Sequence, residues 1–342
     1  MKIKLFEDSG YLNMAAILHL PYNFIFIVGA RGTGKTYGFL KTVIEENIKF
    51  MYMRRTQSEA EIIREEELSP FKPLNIDYGW NYQIKPMGKY AAGVYDCDLE
   101  SKPKGLPVGM ITALSTISNI RGLSAEDVEV FGYDEFIPEA HVRPIREEGK
   151  AWLNAYETIN RNRELRGRKP LKAVCMANSN NLANALFMEL GLVRKVEKMK
   201  KNGQLISADK DRSIVIINAE NSPISEKKKE TALYKLSQDS EFSKMALQNV
   251  FATEEYSSTG SRQIIQYKPI VTVGEITIYK HKSGNDYYAS QYCSGNPVKY
   301  SSGPTDLKRF QRAYHWLWLE YMKNNITFEE HFVEILFTKY FE

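Results

Sequence analysis

Apolar positions recur along this chain in two rhythms. Short runs of apolar and β-branched residues alternate with stretches in which apolar positions return every three or four residues. The runs Phe24–Val28, Phe50–Arg54, Val128–Tyr133, Ala173–Ala177 and Ser213–Asn218 predict strands, while Tyr37–Ile48, Glu147–Leu165 and Leu182–Leu190 predict helices between them. Such alternation over the first two thirds predicts a parallel α/β sheet with helices on its faces. Between the second and third runs, Tyr82–Lys85, Tyr90–Tyr95 and Val108–Ala113 read as shorter strands, broken by Met87-Gly88 and Lys102-Pro103-Lys104-Gly105. They predict an antiparallel insertion beside the main sheet.

From Ser222 the pattern changes. Pro223 opens the charged run Glu226-Lys227-Lys228-Lys229-Glu230, and a second helical stretch runs from Ser240 to Val250. Residues 222–252 thus read as a helical linker after a first domain of residues 1–221, with the lysine cluster on a solvated helix face. Residues 253–342 are β-rich, with Ile264–Tyr267, Ile270–Val273, Glu275–His281 and Tyr287–Tyr292 as strands. The last two are joined by Lys282-Ser283-Gly284-Asn285-Asp286, which is hairpin chemistry. Helices Thr305–Lys323 and Thr327–Phe341 close the chain, the first with Phe310, Tyr314, Leu317 and Tyr321 on one apolar face. Trp316 and Trp318 broaden that face as core packing.

Composition adds limits. At 342 residues the chain has room for two domains of about 150 residues. Hydrophobic and charged fractions of 43% and 26% are ordinary for folded proteins and argue against wholesale disorder. Cys97, Cys175 and Cys293 have no metal-ligand spacing and predict free thiols in a reducing compartment. No apolar run approaches the ~20 residues of a membrane span, and no apolar signal core follows Met1-Lys2-Ile3-Lys4, so a cytosolic, membrane-free protein is expected. A net charge of +4 permits a polyanionic partner without requiring one.

Candidate chemistry begins directly after the first predicted strand. Gly29-Ala30-Arg31-Gly32-Thr33-Gly34-Lys35-Thr36 fits G-x-x-x-x-G-K-[ST], with a strand before it and a helix after it, the setting of a phosphate-binding P-loop. Its glycines let backbone N–H groups turn inward around a phosphate, and the helix N-terminus adds positive dipole character. Lys35 is placed to reach the β- and γ-phosphates of ATP, and Thr36 to hold Mg²⁺. The strand ending Tyr133-Asp134-Glu135-Phe136 supplies the second motif: Asp134 to hold the Mg²⁺ water shell, Glu135 to polarise an attacking water. A carboxylate dedicated to water favours hydrolysis over small-molecule phosphorylation. The spacing predicts an additional-strand (ASCE/RecA-like) ATPase with the acidic strand neighbouring the P-loop strand.

The next predicted strand ends in Asn178-Ser179-Asn180, where an amide could sense the γ-phosphate; Asn178 is the first candidate and Asn180 the second. Between these motifs lie Arg161, Arg163, Arg166, Arg168 and Lys169, near a predicted helix C-terminus where cations are favoured in any case. One of the four arginines could instead enter a neighbouring subunit's site as an arginine finger; the residues alone do not choose among them.

Taken in order, the P-loop, the strand Phe50-Met51-Tyr52-Met53-Arg54-Arg55, Tyr133-Asp134-Glu135-Phe136, and Arg161-Asn162-Arg163-Glu164 followed by an Ala-Asn strand end resemble the DNA-packaging ATPases of small, short-tailed, protein-primed phages. Those are compact relatives of the terminase large subunits. The resemblance implies a homomeric ring, a pentamer, docked on the prohead portal in the infected cell's cytoplasm and driving double-stranded DNA inward by ATP hydrolysis. By motif position it selects Arg161 as the trans-acting finger. Arg54, Arg55 and the Ile120-Arg121-Gly122 turn match family positions, and Arg31 resembles an extra arginine common in packaging motors.

The tail departs from the larger terminases, whose RNase H-like nuclease gathers carboxylates around two metals. Here the nearby acids are Glu275, Asp286 and Asp306, a poor set for two metals. The expectation is a small α+β, RNase H-like domain, vestigial as a nuclease and kept for binding the portal, a structural RNA or capsid protein. Lys102 and Lys104 are the candidates for gripping DNA phosphates. The rival readings are another DNA-stimulated motor such as a helicase, and a slow-turnover nucleotide-binding scaffold.

Overall fold

The computed structural model describes residues 3–120, 125–138, 145, 147–178, 184–219, 222–228, 230–236, 260 and 262–341. The expected Arg121-Gly122 turn, Asn180 and the Ser240–Val250 helix lie outside these residues. The chain divides into two compact units, Met1–Ala252 and Thr253–Glu342.

In the first unit, α1 (Met14–Leu18) and β1 (Phe24–Gly29) lead to α2 (Lys35–Glu45) and β2 (Phe50–Arg54). Helices α3 (Gln57–Ile62) and α4 (Lys72–Tyr78) precede β3 (Tyr82–Pro86), β4 (Ala92–Asp96) and β5 (Gly109–Ala113). Then come β6 (Val130–Asp134), α5 (Glu148–Asn160), β7 (Lys172–Asn178), α6 (Ala185–Glu189) and α7 (Val193–Lys201). The hairpin of β8 (Ile206–Asp209) and β9 (Ile214–Ala219) is followed by α8 (Pro223–Lys228) and α9 (Ala232–Leu236).

One nine-stranded sheet runs in the order β3-β4-β5-β2-β6-β7-β1-β9-β8. Its centre, from β5 to β9, is parallel. Alternate residues of β1 serve opposite faces, as the two-residue period of a strand requires. Phe24 and Phe26 meet Trp152 of α5 at ring distances of 6.2 and 6.3 Å. Ile25 and Ile27 join Phe39, Leu40 and Val43 of α2 in the core on the other face. Gly132 of β6 has a packing role: a Cβ there would lie 2.5 Å from the Phe39 ring, so only glycine lets α2 settle over the strand.

Two expectations are corrected. The acidic strand β6 does not neighbour the P-loop strand β1, because β7 is inserted between them and pairs in parallel with both. That third strand carries the end of β7, and with it Asn178, between the two motifs. The insertion is antiparallel as expected from β3 through β4 to β5, but it does not stand beside the main sheet: β5 also pairs in parallel with β2, so these strands extend the same sheet outward.

The second unit holds a five-stranded sheet in which β10 (Tyr267–Val273), β11 (Ile276–His281) and β12 (Tyr287–Ser290) form an antiparallel meander. Strand β13 (Val298–Tyr300) adds in parallel to β10, and β14 (Ile326–Phe328) in parallel to β12. Residues Ile264–Gln266, expected as strand, make a turn of 3₁₀-helix. Helices α10 (Pro304–Met322) and α11 (His331–Phe341) complete the unit, with Phe310, Leu317 and Phe337 fully buried. Trp316, expected in the core, is instead exposed, with its ring 5.4 Å from that of Tyr287. Among the described residues, no helix is long and apolar enough to cross a membrane.

Candidate active site

The carboxyl ends of β1, β2, β6 and β7 share one edge of the sheet, the edge at which open parallel sheets bind ligands. There Gly29 ends β1, and the chain turns through Ala30–Gly34 into α2. Gly32 and Gly34 have φ of +67° and +89°, left-handed values that would strain a residue with a Cβ and that suit a loop turned around an anion. Lys35 Nζ donates to the carbonyls of Gly29 (3.0 Å) and Ala30 (2.8 Å) and to Asn178 Oδ1 (3.0 Å). Burial pulls its pKa down to about 7, against the attraction of Asp134. A phosphate at this ammonium would favour its charged form. Nucleotide binding at pH 8 is therefore expected to take up a proton, and below about pH 6 uptake fades because Lys35 is already charged. Calorimetry in buffers of different ionisation enthalpy measures this, and uptake at pH 8 that persists in Lys35→Met would remove Lys35 as its source.

The second motif meets the first through oxygen atoms. Thr36 Oγ1 donates to Asp134 Oδ2 at 2.7 Å, and Tyr52 Oη donates to the same oxygen at 2.6 Å. Hydroxyl and carboxylate oxygens in contact at the mouth of the loop suit Mg²⁺, which takes hard oxygen ligands. Burial, then Asp134, holds the Tyr52 phenol well above its ordinary pKa, so it stays a donor. Glu135 follows with φ +56°, a conformation that costs a non-glycine residue roughly 1–3 kcal/mol. The reversal is supported by the Glu135 N–H bonding Asp134 Oδ1 at 3.0 Å. It also turns the Glu135 carboxylate to the end of β2, where Arg54 Nη2 grips it closely while Nη1 lies 3.4 Å from Asp134 Oδ2. Burial raises the Glu135 pKa; Arg54 opposes the rise and Asp134 reinforces it. A cleft of about 290 Å³, bounded by Arg31, Lys35, Thr36, Asp134, Glu135 and Asn178, joins these groups.

The remaining expected residues lie elsewhere. Arg161 caps the C-terminus of α5 with φ +44°, and its Nε donates to Thr158 O at 3.3 Å. Because α5 returns the chain from the end of β6 to the start of β7, Arg161 stands at the amino edge of the sheet. Seven residues of β7 then separate it from its own phosphate loop, on the order of 20 Å. Arg163 is buried and donates to the carbonyls of Ala125 (2.8 Å), Glu126 (3.1 Å) and Val128. It is thereby committed to holding the approach to β6. Lys102 and Lys104 are exposed in the insertion, each beside a carboxylate: Glu100 at 2.6 Å and Asp96 at 2.7 Å.

The family profile of the podovirus DNA encapsidation protein (Gp16) matches residues 99–271, just over half of the chain. This chain belongs to that family. Among members, the DNA packaging protein of Bacillus phage B103 is 27% identical over 234 residues, which is 67% of this chain and 64% of that protein. The match thus spans somewhat less than two thirds of that relative. The DNA packaging protein of Bacillus phage phi29 is 26% identical over 197 residues, covering 56% of this chain and 53% of its own. In structure, the bacteriophage Phi-29 viral genome packaging motor assembly superposes with a TM-score of 0.65 at 17% identity, covering 98% of this chain and 100% of that one. The Phi-28 gp11 DNA packaging motor gives 0.63 at 18% identity, covering 97% of each. At these identities the structural likeness speaks for a shared fold.

Sequence reasoning assigns Tyr52 and Glu148 no role at this cleft, and Arg54 and Arg55 only a match to family positions. Tyr52 and Arg54 are two apart on β2 and so share a face, and both reach Asp134 on the adjacent β6. That spacing was the available signal. Arg55, on the opposite face, is almost wholly buried in a two-pronged pair with Glu148, at 2.7 and 2.8 Å. Tyr133 Oη donates to the same Glu148 at 2.8 Å, so the start of α5 is tied to the ends of β2 and β6. The lysine cluster of residues 227–229 is not simply a solvated face, since Lys227 Nζ donates to Ser9 O at 3.1 Å and Lys228 Nζ to Arg31 O. Lys229 lies outside the described residues.

Proposed function

We propose that this chain is an ATP hydrolase that drives double-stranded DNA into a viral prohead. The observation that carries this reading is the convergence of Lys35, Thr36, Asp134, Glu135 and Asn178 on one cleft, within a family named for DNA encapsidation. Gly29–Thr36 cradle the nucleotide's phosphates, with Lys35 transferring its donors from loop carbonyls to the β- and γ-oxygens. Thr36 and Asp134 would hold Mg²⁺, which would supply charge neutralisation at the phosphate oxygens. Glu135 polarises the attacking water once Arg54 releases it. Asn178, whose Oδ1 accepts from Lys35 Nζ at 3.0 Å, is the group that reports the γ-phosphate.

Arg161 acts in trans. Its distance from its own cleft along β7 is what a ring requires, in which one subunit's amino edge meets the next subunit's carboxyl edge. The ring is a pentamer on the prohead portal, working in the cytoplasm of the infected cell. Lys102 and Lys104 touch DNA phosphates by exchanging their carboxylate partners, without reading sequence. We take residues 1–221 as the motor domain, 222–252 as a linker and 253–342 as an RNase H-like domain that binds the portal, a structural RNA or capsid protein. ATP hydrolysis assayed with and without proheads and DNA tests the whole reading, and stimulation by both together is expected. A rate indifferent to DNA would favour the slow-turnover scaffold.

The second unit is expected to bind but not to cut. Glu275 precedes β11 and Asp286 follows it, so this six-residue strand separates them by on the order of 20 Å. Two-metal cleavage needs carboxylates around ions about 3.5–4 Å apart. All three acids are also engaged locally, since Glu275 accepts from Gln291 Nε2 at 3.2 Å, Asp286 from Tyr267 Oη at 2.7 Å, and Asp306 from Ser301 N and Oγ at 3.1 and 2.8 Å. Plasmid incubated with the full chain and Mn²⁺ should stay supercoiled; metal-dependent nicking lost in Asp306→Ala would overturn this.

A further inference from the structure

We propose that Lys228 is a ligand of the nucleotide's terminal phosphate, so that the segment leaving the sheet after β9 senses whether ATP or ADP is bound. This rests on reading Gly29–Thr36 as the nucleotide loop.

The placement follows from the sheet. Strand β9 pairs with β1 such that Ala219 lies opposite Gly29, so the chain leaves β9 beside the phosphate loop. Helix α8 then seats on the turn before α1. Ser222 is fully buried and donates to Gly10 O at 2.9 Å, Lys227 holds Ser9 O, and a Cβ on Gly10 would come within 2.9 Å of the Ile224 nitrogen. With the helix anchored at these points, its last turn delivers Lys228 to the loop. There Nζ donates to Arg31 O, and any side chain at Gly32 would run into the ammonium.

Arg31 and Gly32 form the outer part of the loop, away from the N-terminus of α2, whose first N–H groups serve the inner phosphates. A cation held there meets the outermost phosphate. Burial and Arg31 together lower the Lys228 pKa, and Lys228 and Arg31 in turn contribute to the lowering at Lys35. Three cations are thus gathered at one phosphate loop, Arg31 and Lys35 lining its cleft and Lys228 held against Arg31 and Gly32, and a triphosphate would relieve their repulsion. Loss of the γ-phosphate would return Lys228 to the Arg31 carbonyl and change the tension on α8.

The test compares affinities of the full chain for ADP and for a non-hydrolysable ATP analogue, both with Mg²⁺, in wild type, Lys228→Met and Lys228→Arg. A charge-assisted contact to the terminal phosphate predicts that Lys228→Met weakens the ATP analogue about tenfold or more while ADP changes by less than about twofold. Lys228→Arg should recover most of the loss. Equal weakening of both nucleotides would make Lys228 a structural clamp on the loop, and unchanged affinities would make its contact incidental; either overturns the proposal. Failure of the underlying reading looks different, because wild type would then bind neither nucleotide.

Discussion

Glu135→Gln is expected to bind ATP as wild type does and to hydrolyse it about 10²–10⁴-fold more slowly, the range a positioned general base contributes. The amide keeps the volume of the carboxylate and can still accept from Arg54, so the left-handed backbone at residue 135 and the Asp134 contacts of Thr36 and Tyr52 should persist. What disappears is the negative charge that polarises water. Single-turnover phosphate release separates binding from chemistry, and a rate within a few-fold of wild type would remove Glu135 from this role.

Arg161→Ala is expected to show a defect of about 10³–10⁵ in turnover, as fingers in other P-loop enzymes do, with nucleotide affinity preserved. Its position at the amino edge gives the test its form. A subunit lacking Arg161 still carries a complete Lys35–Asp134–Glu135 cluster, while a Glu135→Gln subunit still offers its arginine to a neighbour. Mixtures of the two should therefore recover hydrolysis at junctions where an intact cluster meets an intact arginine. Arg163→Ala is the contrast, since its guanidinium is spent on the carbonyls of Ala125, Glu126 and Val128. Its loss should lower stability before it alters chemistry. Normal hydrolysis by Arg161→Ala alone would refute the finger.

Much of this site was legible because its chemistry is local in sequence. The P-loop needs contiguous glycines, a lysine and a threonine, and the acidic pair needs only a strand end. The strands were visible as apolar runs, and Phe50–Arg54 has the predicted bounds. What stayed hidden depends on pairings distant in the chain. The insertion of β7 between β6 and β1 is a fact of strand order, which no local pattern encodes. The Arg55–Glu148 pair joins residues 93 apart, and the Lys228–Arg31 contact residues 197 apart. Short strands such as β13 and β14 escaped because three residues are too few to show a period.

The central claim, that ATP hydrolysis at this cleft moves DNA into a capsid, is tested most directly by nuclease protection. Purified protein, proheads, linear double-stranded DNA and Mg²⁺ are combined with ATP, treated with nuclease and opened to recover protected DNA. Full-length protected DNA is expected with the wild-type chain and ATP, and none with Glu135→Gln or with a non-hydrolysable analogue. Protection that appears equally without hydrolysis would contradict the account.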